Sequence, residues 1–346
     1  MCRVVIGLSG GVDSSVAAYL LKRRGYEVIG AWLRLADSDA TPEKAREAHS
    51  AAQALGIELA ELDGRERFEK QVIAPFVAEY VAGRTPNPCV LCNPAVKFGM
   101  LAQFADSRSA EFIATGHYAR VVAAPDRRLL VKAPHAKDQS YFLYSLDQSL
   151  LKRVLFPLGD LTKEQVRVIA SEAALPAAGS RDSQEICFIP DGDYARFILG
   201  RIKEPAVPGR FVGPGGEVLG AHKGVFRYTV GQRKGLGSFG EPMYVTAVDA
   251  KTNTVILGPA GACEGSALRA GDMRWSAFED PGVPFKAQVK IRSAAPPAEA
   301  WVIPEPGARA VMRFIHPQRA IAPGQAAVIY CGDTLIGGGV ICERLP

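Results

Sequence analysis

No apolar run in the chain approaches the roughly 18 residues that a membrane-spanning helix needs, which excludes a membrane protein. A leader segment is not expected either. Met1-Cys2-Arg3-Val4-Val5-Ile6 reads as a strand at once and leaves no room for a signal peptide, which predicts a cytoplasmic protein. Cysteines are few and odd in number, seven in 346 residues, so a secreted disulfide scaffold is not expected. In a reducing compartment each thiol is free, metal-bound or catalytic. There is no internal repeat and no low-complexity tail. With 48% hydrophobic and 22% charged residues, disorder, collagen and coiled coil are excluded as the main architecture. The net charge of +5 is small but unevenly placed. Residues 1–199 hold 24 basic and 24 acidic side chains, whereas residues 200–346 hold 17 and 12. An excess confined to the C-terminal part suits an acidic partner, of which nucleic acid is the commonest.

At roughly 150 residues per domain, the length predicts two or three domains. The first 120 residues alternate strand and helix signals. Val4–Leu8 is a continuous apolar run of strand length, followed by a Gly/Ser turn and a helix with Val16, Leu20 and Leu21 on one face. Glu27–Leu33 and Ile57–Leu62 read as strands. Thr41-Pro42-Glu43 caps a helix between them, and Glu66–Val81 is a further helix. This alternation predicts an α/β fold with a parallel sheet covered on both faces. Thr162 and Gln165 form a capping box for a helix over Leu161–Leu175. Beyond about residue 200 the chain turns Gly/Pro-rich, with short alternating runs such as Lys223–Val230 and Met243–Val248. Ala287–Ile291, Arg309–Ile315, Ala326–Tyr330 and Thr334–Ile341, separated by Gly/Pro turns, then predict a small antiparallel barrel or sandwich, of which the barrel is the one expected. The expected division is 1–199 catalytic α/β domain, 200–279 central β-rich domain and 280–346 C-terminal β-barrel.

The usual phosphate loop G-x-x-x-x-G-K-[ST] occurs nowhere. In its place Gly7-Leu8-Ser9-Gly10-Gly11-Val12-Asp13-Ser14 joins a buried strand to a helix. Glycines there allow close backbone approach, and the free N–H groups and helix dipole favour phosphate. Ser-Gly-Gly-x-Asp-Ser resembles the pyrophosphate loop of ATP-pyrophosphatases, which cleave ATP between its α and β phosphates and transfer AMP to a substrate oxygen. That resemblance implies that Ser9, Gly10, Gly11 and Ser14 hold pyrophosphate and that Asp13 helps bind Mg²⁺. An adenine pocket is expected at neighbouring strand ends, near Leu33 and Gly116.

Two cysteines share the segment Asn87-Pro88-Cys89-Val90-Leu91-Cys92, and Cys187 lies in Ile186-Cys187-Phe188. Asn93-Pro94 is expected to open a helix, which places Cys92 just ahead of a helix N-terminus, where the dipole favours a thiolate. A lone C-x-x-C fits a redox pair, half a zinc site or part of a cluster site. There is no second C-x-x-C and no H-x₃₋₅-H. Cys2, Cys263, Cys331 and Cys342 read as structural. Combined with the ATP loop, reactive thiols suit an enzyme that adenylates an oxygen and replaces it with sulfur.

The sequence resembles the tRNA-specific 2-thiouridylase family over almost its full length. The resemblance rests on Gly7–Ser15, Thr115–Arg120, Lys137–Leu143, Ile186–Ile189, Tyr228–Gly237 and Pro323–Val328. It implies that ATP adenylates O2 of the wobble uridine of tRNA. A persulfide on Cys187 then delivers sulfur to C2, and Cys92 acts as the partner thiol, leaving a Cys92–Cys187 disulfide. The sulfur donor would be a persulfide carrier protein or inorganic sulfide. His117, Lys137, Asp138, Gln139, Arg292, Ser293 and Gln325 match positions that face tRNA in the family, and Asn87, Pro88 and Cys89 match the segment at the target base. Many members carry aspartate where this chain has Cys89. Some related thiolases bind a [4Fe-4S] cluster through three cysteines, a set that Cys89, Cys92 and Cys187 could supply, so the cluster and the persulfide routes both stand open. Independently of the family, Arg227, Tyr228, Arg233 and Lys234 mix charge with a ring in a Gly-rich segment, as RNA loop recognition demands. The competing readings are a small-molecule amide-forming synthetase, which would need neither Cys92 nor Cys187, and a non-enzymatic iron–sulfur or RNA-binding module.

Overall fold

Strand β1 (Arg3–Gly7) is the centre of the first sheet, and its apolar run is buried because both of its faces are covered. In the computed structural model, which describes residues 2–37, 41–179, 186–202, 207–279 and 281–346, β1 pairs in parallel with β2 (Glu27–Arg34) on one side and β4 (Phe112–Ala114) on the other. β3 (Glu58–Asp63) adds beyond β2 and β7 (Val154–Leu155) beyond β4, giving the all-parallel order β3-β2-β1-β4-β7. Helices α1 (Val12–Arg23) and α2 (Thr41–Leu55) pack with Lys163–Glu172 over one core, built from Val16, Ala17, Leu21, Ala52, Leu55, Val166 and Ala170. The Thr162–Gln165 capping box is formed as expected. A hairpin, β5 (Ala119–Ala123) and β6 (Arg128–Lys132), follows β4 and was not read from the sequence.

The chain divides into two compact units. Residues 1–72, 89–188 and 333–335 make the first, and 73–88, 189–332 and 336–346 the second. Residues 73–88 thus leave their sequence neighbours and pack with the second unit, where the Tyr80 ring stacks on Tyr194 at 4.8 Å. That unit holds a four-stranded sheet, β10 (Tyr244–Asp249), β11 (Thr254–Gly258), β8 (Gly209–Val212) and β9 (Val218–His222), in that order. It also holds six strands, β12 (Glu264–Trp275), β13 (Phe285–Lys290), β14 (Ala298–Glu305), β15 (Arg309–Arg319), β16 (Ala326–Cys331) and β17 (Thr334–Leu345). These run β12-β15-β14-β13-β16-β17, and β12 pairs again with β17, so the barrel closes and leaves no edge. The α/β class and the antiparallel barrel match the expectation. The strand expected over Lys223–Val230 does not form. Gly224 at φ +109° breaks the extended path and Val225–Arg227 is a tight helical turn.

Candidate active site

The strand order reverses between β1 and β4, and the loops at that reversal enclose a cavity of about 390 Å³, as expected for the ligand crevice of a parallel sheet. Gly7, Leu8, Ser9, Asp13, Ser14, Leu33 and Gly116 line it. Gly10, Gly11 and Val12 form the turn that carries them into α1. Gly10 has φ +85°, and a Cβ there would stand 2.5 Å from the carbonyl carbon of Glu47 and 2.6 Å from the amide of Ala48, both in α2. Only glycine meets both demands. Gly11 is the N-cap of α1 and no side chain caps it. The first N–H groups of a helix have no intrahelical acceptor, so an uncapped end at a cavity wall is a place for an anion. The turn is braced from within. The Ser9 and Ser14 hydroxyls lie 3.1 Å apart, and the hydroxyls of Ser14 and Ser15 each donate to Gly11 O at 3.0 Å. Gly116 lets the loop after β4 touch this turn, since a Cβ would lie 2.8 Å from the Asp13 carbonyl carbon.

Asp13 is not free for a metal. Both its oxygens accept from Lys163 Nζ, at 2.8 and 2.9 Å, and Oδ1 also accepts from the Tyr118 hydroxyl at 2.7 Å. The ammonium already neutralises the carboxylate, so the residues present do not fit Mg²⁺ at Asp13. Lys163 was missed from sequence although a signal exists. A lysine in the first turn of a helix opposes the dipole, and its side chain here is only 8% exposed.

The thiols depart from expectation. The helical stretch begins at Pro88, not Asn93, and runs on through a π-helical turn, Asn93–Phe98, into Gly99–Ser107. Cys92 therefore sits inside a helix rather than ahead of one. Its neighbour Asn93 is buried and donates to Phe142 O at 3.0 Å, fixing the helix. Burial pushes the Cys92 thiol up to about 12, against a smaller downward pull from Lys97. The dipole argument for a Cys92 thiolate fails on both counts. Cys187 is exposed on the cavity wall, next to Phe188, whose ring meets Phe68 edge-on at 5.4 Å. Desolvation raises the Cys187 thiol, while Lys97 and Lys44, which line the same cavity, pull it down. Cys89 is exposed and is raised likewise, by desolvation first. All seven cysteines are free thiols. Residues Arg181–Glu185, next to Cys187, lie outside the described residues.

The three thiols feel one another electrostatically, but among the described residues no three His, Cys, Asp or Glu side chains are gathered to hold a metal ion. As it stands, the set is not gathered to hold a [4Fe-4S] cluster. Lys97, half-buried in the π-helical turn, is the cation shared by Cys89, Cys92, Cys187 and His117. It too escaped the sequence reading. The signal is weak, a lysine five residues after the second thiol.

His117 lines the cavity with its ring stacked on Phe98 at 5.8 Å and Nδ1 2.7 Å from Thr115 Oγ1. Burial, then Lys97, holds its pKa well below the usual histidine value. Of the expected RNA-facing triplet, Lys137 is exposed. Asp138 accepts from Ala133 N, Ser140 N and Ser140 Oγ, and Gln139 Oε1 accepts from Tyr118 N at 2.9 Å. Those two brace their own loop. Asn87, Pro88, Arg233, Arg292, Ser293 and Gln325 belong to the second unit, where Gln325 Nε2 donates to Thr85 O at 2.8 Å and Ser293 is exposed.

Three family models match the chain in succession. They are a tRNA methyl transferase HUP domain over residues 2–191, a tRNA methyl transferase PRC-barrel domain over 196–259 and an aminomethyltransferase β-barrel domain over 265–341. The chain is 46% identical to the tRNA-specific 2-thiouridylase MnmA 1 of Caldanaerobacter subterraneus subsp. tengcongensis, covering 99% of this chain and 98% of that protein. It is 43% identical to MnmA of Acetivibrio thermocellus, over 98% and 99%. It is 45% identical to MnmA of Heliobacterium modesticaldum, over 99% and 93%. Among solved structures, the U34-tRNA thiolase NcsA from Methanococcus maripaludis with its [4Fe-4S] cluster overlaps 58% of this chain and 67% of its own. The TM-score is 0.37 at 17% identity, too slight to carry an argument.

Proposed function

The chain belongs to the tRNA-specific 2-thiouridylase family, and from that premise we propose how its residues carry out an ATP-dependent transfer of sulfur to a uridine of tRNA. ATP lies in the cavity with its phosphates on the uncapped end of α1 and its adenine toward Leu33 and Gly116. The uridine O2 attacks the α phosphorus and pyrophosphate departs, held by the amides and hydroxyls of Ser9–Ser14. Adenylation turns a carbonyl oxygen, otherwise a very poor leaving group, into AMP.

Cys187 carries the sulfur as a persulfide. Its terminal sulfur adds to C2, AMP leaves, and the base is joined to Cys187 through a disulfide. The Cys92 thiolate then attacks Cys187 Sγ. The S–S bond to the base breaks with its electron pair on the base sulfur, and a Cys92–Cys187 disulfide remains for an external thiol to reduce. Lys97 and Lys44 flank the thiol that bears the anionic persulfide. Neither Mg²⁺ at Asp13 nor a [4Fe-4S] cluster enters these steps, since the donor sets do not fit them.

The observation that carries the proposal is that one cavity is lined both by the Ser9–Ser14 turn and by Cys187. AMP release with and without tRNA tests it. A thiolase forms AMP only with tRNA, whereas a small-molecule synthetase ignores tRNA and retains its ATP cleavage in Cys187→Ser. Among the described residues no helix is long and apolar enough to cross a membrane.

A further inference from the structure

Two arginines from separate stretches of the second unit, Arg319 and Arg292, meet on one surface, and the segment that carries a third, Arg233, is tied in beneath them. Arg319 ends β15, Arg292 follows β13, and Arg233 lies in the glycine-rich loop before β10. The Arg319 guanidinium stacks on the Tyr244 ring, 4.6 Å from its centroid. Arg292 Nη2 donates to the Arg319 carbonyl oxygen at 3.4 Å. The backbone beneath ties in the third segment. Gly231 N donates to Val245 O at 2.7 Å, Val245 N donates to Gln232 O at 3.0 Å, and a Cβ on Gly231 would strike Ala320. Arg344 adds a fourth cation nearby, its Nη1 donating to the carbonyls of Ala262 and Glu264.

Elsewhere on this barrel a cation is answered. Arg269 pairs with both Glu305 and Glu343. Here Glu264 shares the register position of Arg319, and Glu241 lies in the Arg233 loop. Yet among the described residues no carboxylate stands within ion-pair distance of Arg233, Arg292 or Arg319. Uncompensated like charges repel, so a surface that gathers them is suited to an anion from outside. Stacking on Tyr244 fixes the plane of the Arg319 fork, which lowers the entropy lost when the fork grips two oxygens at once. That geometry matches a phosphodiester.

We propose that Arg319, held over Tyr244 and beside Arg292, is a binding site for a backbone phosphate of the tRNA. The proposal rests on the reading of the chain as a tRNA-modifying enzyme. The test is tRNA binding by the full-length protein, followed by fluorescence anisotropy over a series of salt concentrations. Arg319→Gln weakens binding by about five- to tenfold near physiological salt and lowers the slope of log Kd against log salt by about one. Arg319→Lys keeps the slope, because the charge remains, but weakens binding about two- to threefold as fork and stacking are lost. It carries the test if the glutamine variant fails to fold. Wild-type protein that binds tRNA while both variants match it in affinity and slope would overturn the phosphate site alone. Wild-type protein that binds no tRNA would overturn the function proposed above and this site with it.

Discussion

In the roles proposed for them, the two units meet an anion by different means. In the first, backbone amides at an uncapped helix end face the cavity, held in shape by glycines and three serine hydroxyls. In the second, side-chain guanidiniums on the barrel rim take that part, and Tyr244 orients one of them. A backbone nest is rigid, short in sequence and intolerant of a single Cβ. An arginine surface is assembled from distant strands and loses its grip one charge at a time. The two should therefore fail differently when mutated.

The largest effect expected is at Gly10. Gly10→Val puts a β-branched side chain into the backbone of α2 at positive φ, and tRNA-dependent AMP formation falls by more than about a hundredfold while tRNA binding through the second unit persists. Loss of both together would mean that the units are not separable. Next is Lys163→Met, which strips the cation from Asp13. An expected loss of about tenfold in kcat/KM for ATP, partly restored by Lys163→Arg, is read from initial rates of pyrophosphate release.

The third concerns the buried thiol. With Cys92 near 12, its thiolate fraction at neutral pH grows about tenfold per pH unit. Single-turnover resolution of the base from Cys187 should then rise with pH from 7 to 9, without a plateau, whereas AMP formation does not follow it. A plateau near pH 7 would show that tRNA or donor binding exposes Cys92 first. The smallest is Arg233→Ala, which weakens tRNA binding severalfold and flattens its salt dependence by about one contact, measured by filter binding. An unchanged slope removes Arg233 from the contact surface.

The contrast between the units also sets what could be read from sequence. The β1–turn–α1 segment is contiguous, so Gly7–Ser14 announces both fold and site, and the Thr162–Gln165 box announces its helix. The residues that complete the first site are not contiguous with it. Lys163 reaches Asp13 across 150 positions, and the cue, a cation in a helix's first turn, has meaning only once its partner is known. The start of the cysteine helix was misplaced because Asn93-Pro94 is a sound helix opening in isolation, yet Pro88 provides another five residues earlier and the π-helical turn carries the helix through both. In the second unit the barrel strands were legible from their alternation, but Tyr244 and Arg319 come from strands of different sheets and Arg292 from the loop after β13, and they share no motif. Only the tertiary packing of those segments brings them together.

The central claim is that adenylation at the glycine turn and sulfur delivery from Cys187 act on one uridine. Mass spectrometry of nucleosides from tRNA incubated with enzyme, ATP and a persulfide donor tests it most directly. The account predicts a uridine in which sulfur replaces one oxygen, formed in step with AMP, and in Cys187→Ser a stoichiometric release of pyrophosphate with neither AMP nor the thiolated base. Thiolated uridine formed without ATP, or formed undiminished by Cys187→Ser, would contradict it.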